Sequence, residues 1–236
     1  MCGRYKLTAY EQWLSDYFNL DPADVDWAAR WNVAPTDEVA TVGQSRREPK
    51  RKFARMRWGL IPSWAKDMSI GASAINAVSE TAAEKPMFRD AFSKRRCLIP
   101  ADGFYEWKQL SSKKKQPYCI EMADASLFAF AGLWETWKDP AGKVIHSCTI
   151  LTTEANALLK DMHHRMPVIL SPDDYDLWLD PGITDPTKVA DLLKPFDARK
   201  MKVHPVSSFV NKAGNEGPEC ATEVAVLEEE EQGKLF

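Results

Sequence analysis

Tyr10, Trp13, Leu14, Tyr17 and Phe18 recur at the three- and four-residue spacing of one helix face. Thr8-Ala9-Tyr10-Glu11 ahead of them has capping-box form, so the pattern predicts a helix over residues 9–19 that Asp21-Pro22 stops. Residues 30–35 read as a loop entry, because Pro35 holds the residue before it in extended geometry. A polar, basic hairpin loop over 44–52 leads into an alternating strand at 53–58, which leaves the sheet through 59–64. Pro86 opens a short helix to about residue 92. Residues 95–108 form two strands about a turn at Ala101-Asp102-Gly103, with Lys113-Lys114-Lys115 as the next hairpin tip. Strands follow at 117–122, 127–134 and 146–152, the middle one apolar enough to be central. A helix over 154–162 ends at His163-His164-Arg165-Met166-Pro167, and a strand follows at 168–170. Ser171-Pro172-Asp173-Asp174 caps another helix, and a helix near 186–195 and a strand near 200–206 close the pattern. Many strands with short helices between them predict one α+β domain, residues 1–211, around a curved, mostly antiparallel sheet.

Composition narrows the class. A chain of 236 residues with 44% apolar side chains can build a core. No apolar run approaches the roughly 18 residues of a membrane span, and no basic-then-apolar leader opens the sequence. A cytoplasmic monomer with no membrane partner is expected. The cysteines at 2, 97, 119, 148 and 220 are odd in number and spaced too widely for zinc, so no disulfide framework, metal or cofactor is expected and four of them read as packing residues. The net charge of −3 hides two unlike parts: residues 1–117 carry 20 Lys and Arg against 14 Asp and Glu, and residues 118–236 carry 11 against 20. A basic face beside some of the nine tryptophans suits single-stranded nucleic acid, whose bases stack while its phosphates are neutralised.

The first four residues, Met1-Cys2-Gly3-Arg4, carry the candidate chemistry. Excision of Met1 would leave an α-amine and a thiol on Cys2, with pKa values of about 8 and 8.5. An aldehyde meeting that pair forms an imine with the amine, and the thiol then closes a thiazolidine ring. The alternative is that Cys2 is a small buried packing residue. Glu106, flanked by Tyr105 and Trp107, is either a functional carboxylate or a surface glutamate on an edge strand. His163 is either an acid/base group or a cation at a helix C-terminus.

Met1-Cys2-Gly3-Arg4, Asn32-Val33-Ala34-Pro35, Trp58-Gly59-Leu60-Ile61-Pro62, Ile75-Asn76-Ala77, Ser79-Glu80-Thr81, Ala101-Asp102-Gly103-Phe104-Tyr105-Glu106-Trp107, His163-His164-Arg165-Met166-Pro167 and His204-Pro205-Val206-Ser207 occur in this order. Together they closely resemble the SOS-response-associated peptidase family, the abasic-site processing proteins. The resemblance implies a β-barrel-like core with peripheral short helices. It also implies a covalent sensor of abasic sites in single-stranded DNA at replication forks, with Cys2 as nucleophile, Glu106 and His163 as acid/base groups and Asn76 orienting the reacting end. DNA contacts are implied at Arg4, Asn32, Pro35, Trp64, Phe88, Thr152, Arg165 and His204. Two positions depart from the pattern: Val78 stands where the family usually has arginine, and Pro86 where some members do. A cysteine hydrolase that removes its own Met1, with the α-amine activating the thiol, and a non-catalytic single-strand binding module are the competing readings.

Residues 212–236 read as a flexible acidic tail. Its tip, Gln232-Gly233-Lys234-Leu235-Phe236, resembles the QxxLF peptide that docks bacterial repair proteins on the replication sliding clamp, through Gln232, Leu235 and Phe236.

Overall fold

A computed structural model describes residues 2–45, 48–112 and 114–226. In chain order its elements are β1 (Tyr5–Leu7), α1 (Glu11–Phe18), β2 (Arg30–Val33), β3 (Glu38–Gln44), β4 (Arg51–Trp58), β5 (Asn76–Val78), α2 (Ser79–Ala82), α3 (Arg89–Lys94), β6 (Arg96–Ala101), β7 (Gly103–Gln109), β8 (Lys115–Met122), β9 (Phe128–Lys138), β10 (Val144–Glu154), β11 (Arg165–Pro167), β12 (Ile169–Leu170), α4 (Tyr175–Leu179) and β13 (Met201–Pro205). β10 pairs with β4, β4 with β3, β3 with β6, β6 with β9, and β9 back with β10, so five strands close a barrel. Closure removes the open edges that a sheet would expose. β5 and β11 extend from β10, and β12 from β9. A second sheet runs β13-β8-β7-β1-β2. The protein is thus a single α+β domain, as its strand-rich pattern predicts, with the mostly antiparallel barrel core that the family resemblance implies. Among the described residues no helix is long and apolar enough to cross a membrane.

The two sheets meet through β1 and β7. Tyr5 of β1 sets its ring edge-on to Trp58 of β4 and Phe130 of β9 at 5.4 and 5.7 Å, and Phe104 of β7 meets Phe130 at 6.0 Å. Fully burying one such ring contributes roughly 1.5–3 kcal/mol, so this cluster welds sheet to barrel. The chain crosses from β6 to β7 through Asp102 alone. Its carboxylate accepts from the Thr8 amide at 2.8 Å and faces Lys6 Nζ at 3.3 Å, while Lys6 also meets Glu121 at 2.8 Å. A Cβ at Gly103 would lie 2.6 Å from Lys6 Cε, so a larger residue there would have to push the Lys6 side chain aside. Gly59, where the chain leaves β4, has φ +122° and would set a Cβ 2.5 Å from the Gly71 carbonyl oxygen, a conformation few other residues adopt.

Pairing overrides local pattern at several places. Residues 30–35 are not simply a loop: Arg30–Val33 is β2, because β1 needs an edge partner and takes Val33 opposite Tyr5. The capping box does not form, since Thr8 is spent on Asp102 and Glu11 accepts from the Trp27 amide. The expected helix over 154–162 is absent. β10 runs on to Glu154 against Arg165, and the Asn156 side chain then caps the amides of Leu158 and Leu159 in a run of turns. The helix expected near 186–195 breaks into two 3₁₀ turns, Pro186–Lys188 and Ala190–Leu192.

The tail also differs from a loose end. Glu216 accepts from Arg30 and the Trp31 amide, Cys220 is buried with Tyr105, Cys119, Val206 and Val210, and Glu223 bridges Val206. The segment 212–226 therefore folds onto the second sheet, because that sheet's outer face offers an apolar cluster to cover. Gln232, Leu235 and Phe236 lie outside the described residues.

Candidate active site

Cys2 reaches the seam between the sheets because β1 is laid down against β7. Tyr5 pairs with Phe104 and the Tyr105 amide donates to the Arg4 carbonyl at 2.9 Å. The same antiparallel register, carried two residues further, brings Gly3 opposite Glu106 with Cys2 beside it. From the barrel side, Asn76 at the start of β5 donates its Nδ2 to the Cys2 carbonyl at 2.8 Å. Cys2 is fully buried, so its backbone is held by both sheets at once.

Electrostatics tie the groups together. Burial pushes the Cys2 thiol well above its ordinary range, and the Glu106 carboxylate adds to that rise. Glu106 is itself buried, which raises its pKa; the positive charge of the chain's amino terminus opposes the rise. His163 precedes β11, the neighbour of β10 on the side of Thr152 and Glu154. Its pKa is lowered, first by burial and then by positive charge at the amino terminus and at His164. Its Nδ1 lies 2.9 Å from the Arg165 amide nitrogen and 3.2 Å from the Arg165 carbonyl oxygen, so the backbone of Arg165 holds the ring. The ring stacks on His164 with centroids 4.4 Å apart. Asn76 and Glu106 thus meet Cys2 from separate stretches of chain, and His163 feels the charge of the amino terminus that precedes Cys2. Among the described residues, no three His, Cys, Asp or Glu side chains are grouped to hold a metal.

A family model described as SOS response associated peptidase (SRAP) matches residues 1–213. The chain belongs to this family. It is 44% identical over 221 residues to the abasic site processing protein YoqW of Bacillus subtilis (strain 168), covering 93% of this chain and 98% of that protein. To the abasic site processing protein HMCES of Mus musculus it is 33% identical over 206 residues, covering 75% of this chain and 58% of that one. A crystal structure of a protein from Bacteroides thetaiotaomicron superposes with a TM-score of 0.83 at 26% identity, covering 95% of this chain and all of that one.

In this SRAP chain the residues expected to touch DNA fall into unlike environments. Trp64 is 60% exposed and Pro35 half-buried. Asn32, Phe88 and Thr152 are buried. Asn32 accepts from Arg4 Nη1 at 2.8 Å and donates to the carbonyls of Lys212 and Asn215 at 3.0 and 2.9 Å, so it fastens the C-terminal segment. Arg4 also donates to the Val210 carbonyl and lies over Trp107. His204 is bonded to the Ala221 carbonyl, and Arg165 to Glu80. Two partners were missed from sequence: Trp107, which carries Arg4 on its face, and Glu80. Glu80 lies in a family block, yet nothing in the linear order pairs it with a residue 85 positions away.

Proposed function

We propose that this chain processes abasic sites in single-stranded DNA by forming a covalent thiazolidine on Cys2 once Met1 is removed. The observation that carries the reading is Cys2 itself, held by Asn76 and facing a buried Glu106 at the seam of two sheets. Its relatives carry the name abasic site processing protein, and the residues here suit that chemistry. The sugar ring opens to its aldehyde with a proton delivered to O4′ by His163 in its protonated form. The freed Cys2 amine adds to the aldehyde carbon, and water leaves as the iminium forms. The thiol sulfur then bonds to that carbon, its proton passing to Glu106, and the nitrogen remains as a neutral ring amine. Burial favours a thiol that is released only as the carbon–sulfur bond forms, which guards it against side reactions.

The test is intact mass after incubating the mature protein with an abasic single-stranded oligonucleotide. The expected product is heat-stable protein plus DNA less one water, absent for Cys2→Ala. A Cys2→Ala protein that cross-links as well as wild type without added reductant would show the proposal to be wrong. Amide turnover with no adduct would support the hydrolase reading instead.

A further inference from the structure

We propose that Glu80 occupies, in the free protein, the place that a DNA phosphate takes on Arg165, so that a strand must displace a built-in carboxylate to bind. This rests on the single-strand reading above and names a residue that sets the strength and salt dependence of binding. Arg165 Nη1 and Nη2 donate to the two Glu80 carboxylate oxygens at 2.8 and 2.7 Å, the paired geometry with which a guanidinium also grips phosphate. Nη2 is shared with the Thr152 carbonyl, and Nε is buried without a hydrogen-bond partner. The edge held by Glu80 is therefore the edge left for an incoming anion. Accessibility gives the order of encounter: the Glu80 side chain is 48% exposed and that of Arg165 only 13%. A phosphate approaching from solvent meets the carboxylate first and is repelled until Glu80 swings away. Arg165 stays in place when that happens, because the Thr152 carbonyl still holds it. Glu80 can move, because it stands in the first turn of the four-residue α2 with Ser79 Oγ at 3.3 Å as its other side-chain partner.

The experiment measures binding of a labelled deoxythymidine oligonucleotide without an abasic site, over a salt series. Glu80→Gln keeps the shape and removes the charge. It is expected to bind severalfold more tightly and to steepen the slope of log K against log salt by up to roughly 0.7, one single-strand phosphate contact. In an Arg165→Gln background the same change should add nothing, since Glu80 acts through Arg165. Should Glu80→Gln fold poorly by its melting midpoint, Glu80→Asp, whose shorter arm loses the paired grip, must shift both quantities in the same direction. Weaker binding, an unchanged slope, or a gain that survives in Arg165→Gln overturns the inference and marks Glu80 as a brace. Wild-type protein that cross-links abasic DNA while Glu80→Gln changes nothing defeats this inference alone. Wild-type protein that neither binds nor cross-links defeats the proposed function, and this inference with it.

Discussion

Asn32→Ala separates a DNA contact from a structural fastener at a position where the family resemblance and the structure point different ways. The side chain is fully buried; it accepts from Arg4 and donates to the Lys212 and Asn215 carbonyls, with the Val210 carbonyl at 3.3 Å as a weaker third acceptor. A neutral hydrogen bond is worth about 0.5–1.5 kcal/mol net and one to a charged group about 1.5–3 kcal/mol. Lys212 is exposed and Asn215 partly so, and their carbonyls recover water once the segment lifts, so the loss falls below the full sum, at about 2–3 kcal/mol. For a chain of this size that lowers Tm by roughly 4–12 °C. Calorimetry reads the shift, and hydrogen exchange should show lost protection at Val210, Cys220 and Val224, whose amides bond within or beside the segment. Unchanged Tm and protection, together with weaker single-strand binding, would refute the fastener argument and restore Asn32 as a DNA residue.

Glu106→Gln and His163→Ala should slow adduct formation by about 10²–10⁴ while leaving binding to intact single strands nearly unchanged, read by timed gel shift against equilibrium binding. Glu106→Gln should also raise Tm at neutral pH. Burial lifts the Glu106 pKa above its ordinary 4.5, so the folded state binds the proton more tightly than the unfolded one, and stability is lost as pH rises through that window; the glutamine variant should lack the loss. His163 has the opposite sign, its folded pKa lying below 6.5, so its contribution is present above that value and lost on acidification, and His163→Gln should flatten the acid side of a Tm-against-pH curve. Val78→Arg should steepen the salt dependence of single-strand binding by roughly 0.7, since Val78 pairs with Thr152 next to Arg165. A peptide covering 227–236 should bind the sliding clamp of the same organism saturably and lose that binding in Leu235→Ala/Phe236→Ala.

Local pattern by itself determined several elements, wherever in the chain their partners lie. The two strands over 95–108, the central strand at 127–134 and the first helix are written as periodicities of two and of three to four, and side-chain direction follows from those periods; that the two strands of 95–108 enter different sheets is not. The blocks around Cys2, Asn76, Glu106 and His163 also named the groups that the proposed chemistry uses, because the chemistry of an amino-terminal cysteine belongs to the residue and not to its surroundings. Tertiary structure alone decided how those groups meet. The register of β1 on β7 carries Cys2 to Glu106, and a parallel pairing of β5 with β10 brings Asn76 to its carbonyl. Neither pairing has a local signature, since strand partners are selected by long-range burial. The same competition turned residues 30–33 into a strand, consumed the Thr8 cap at the Asp102 corner and drew residues 212–226 onto the second sheet. In each case a backbone or apolar surface already present in the fold needed a partner, and the energy of supplying one exceeded the few tenths to one kcal/mol by which local propensity favours another conformation.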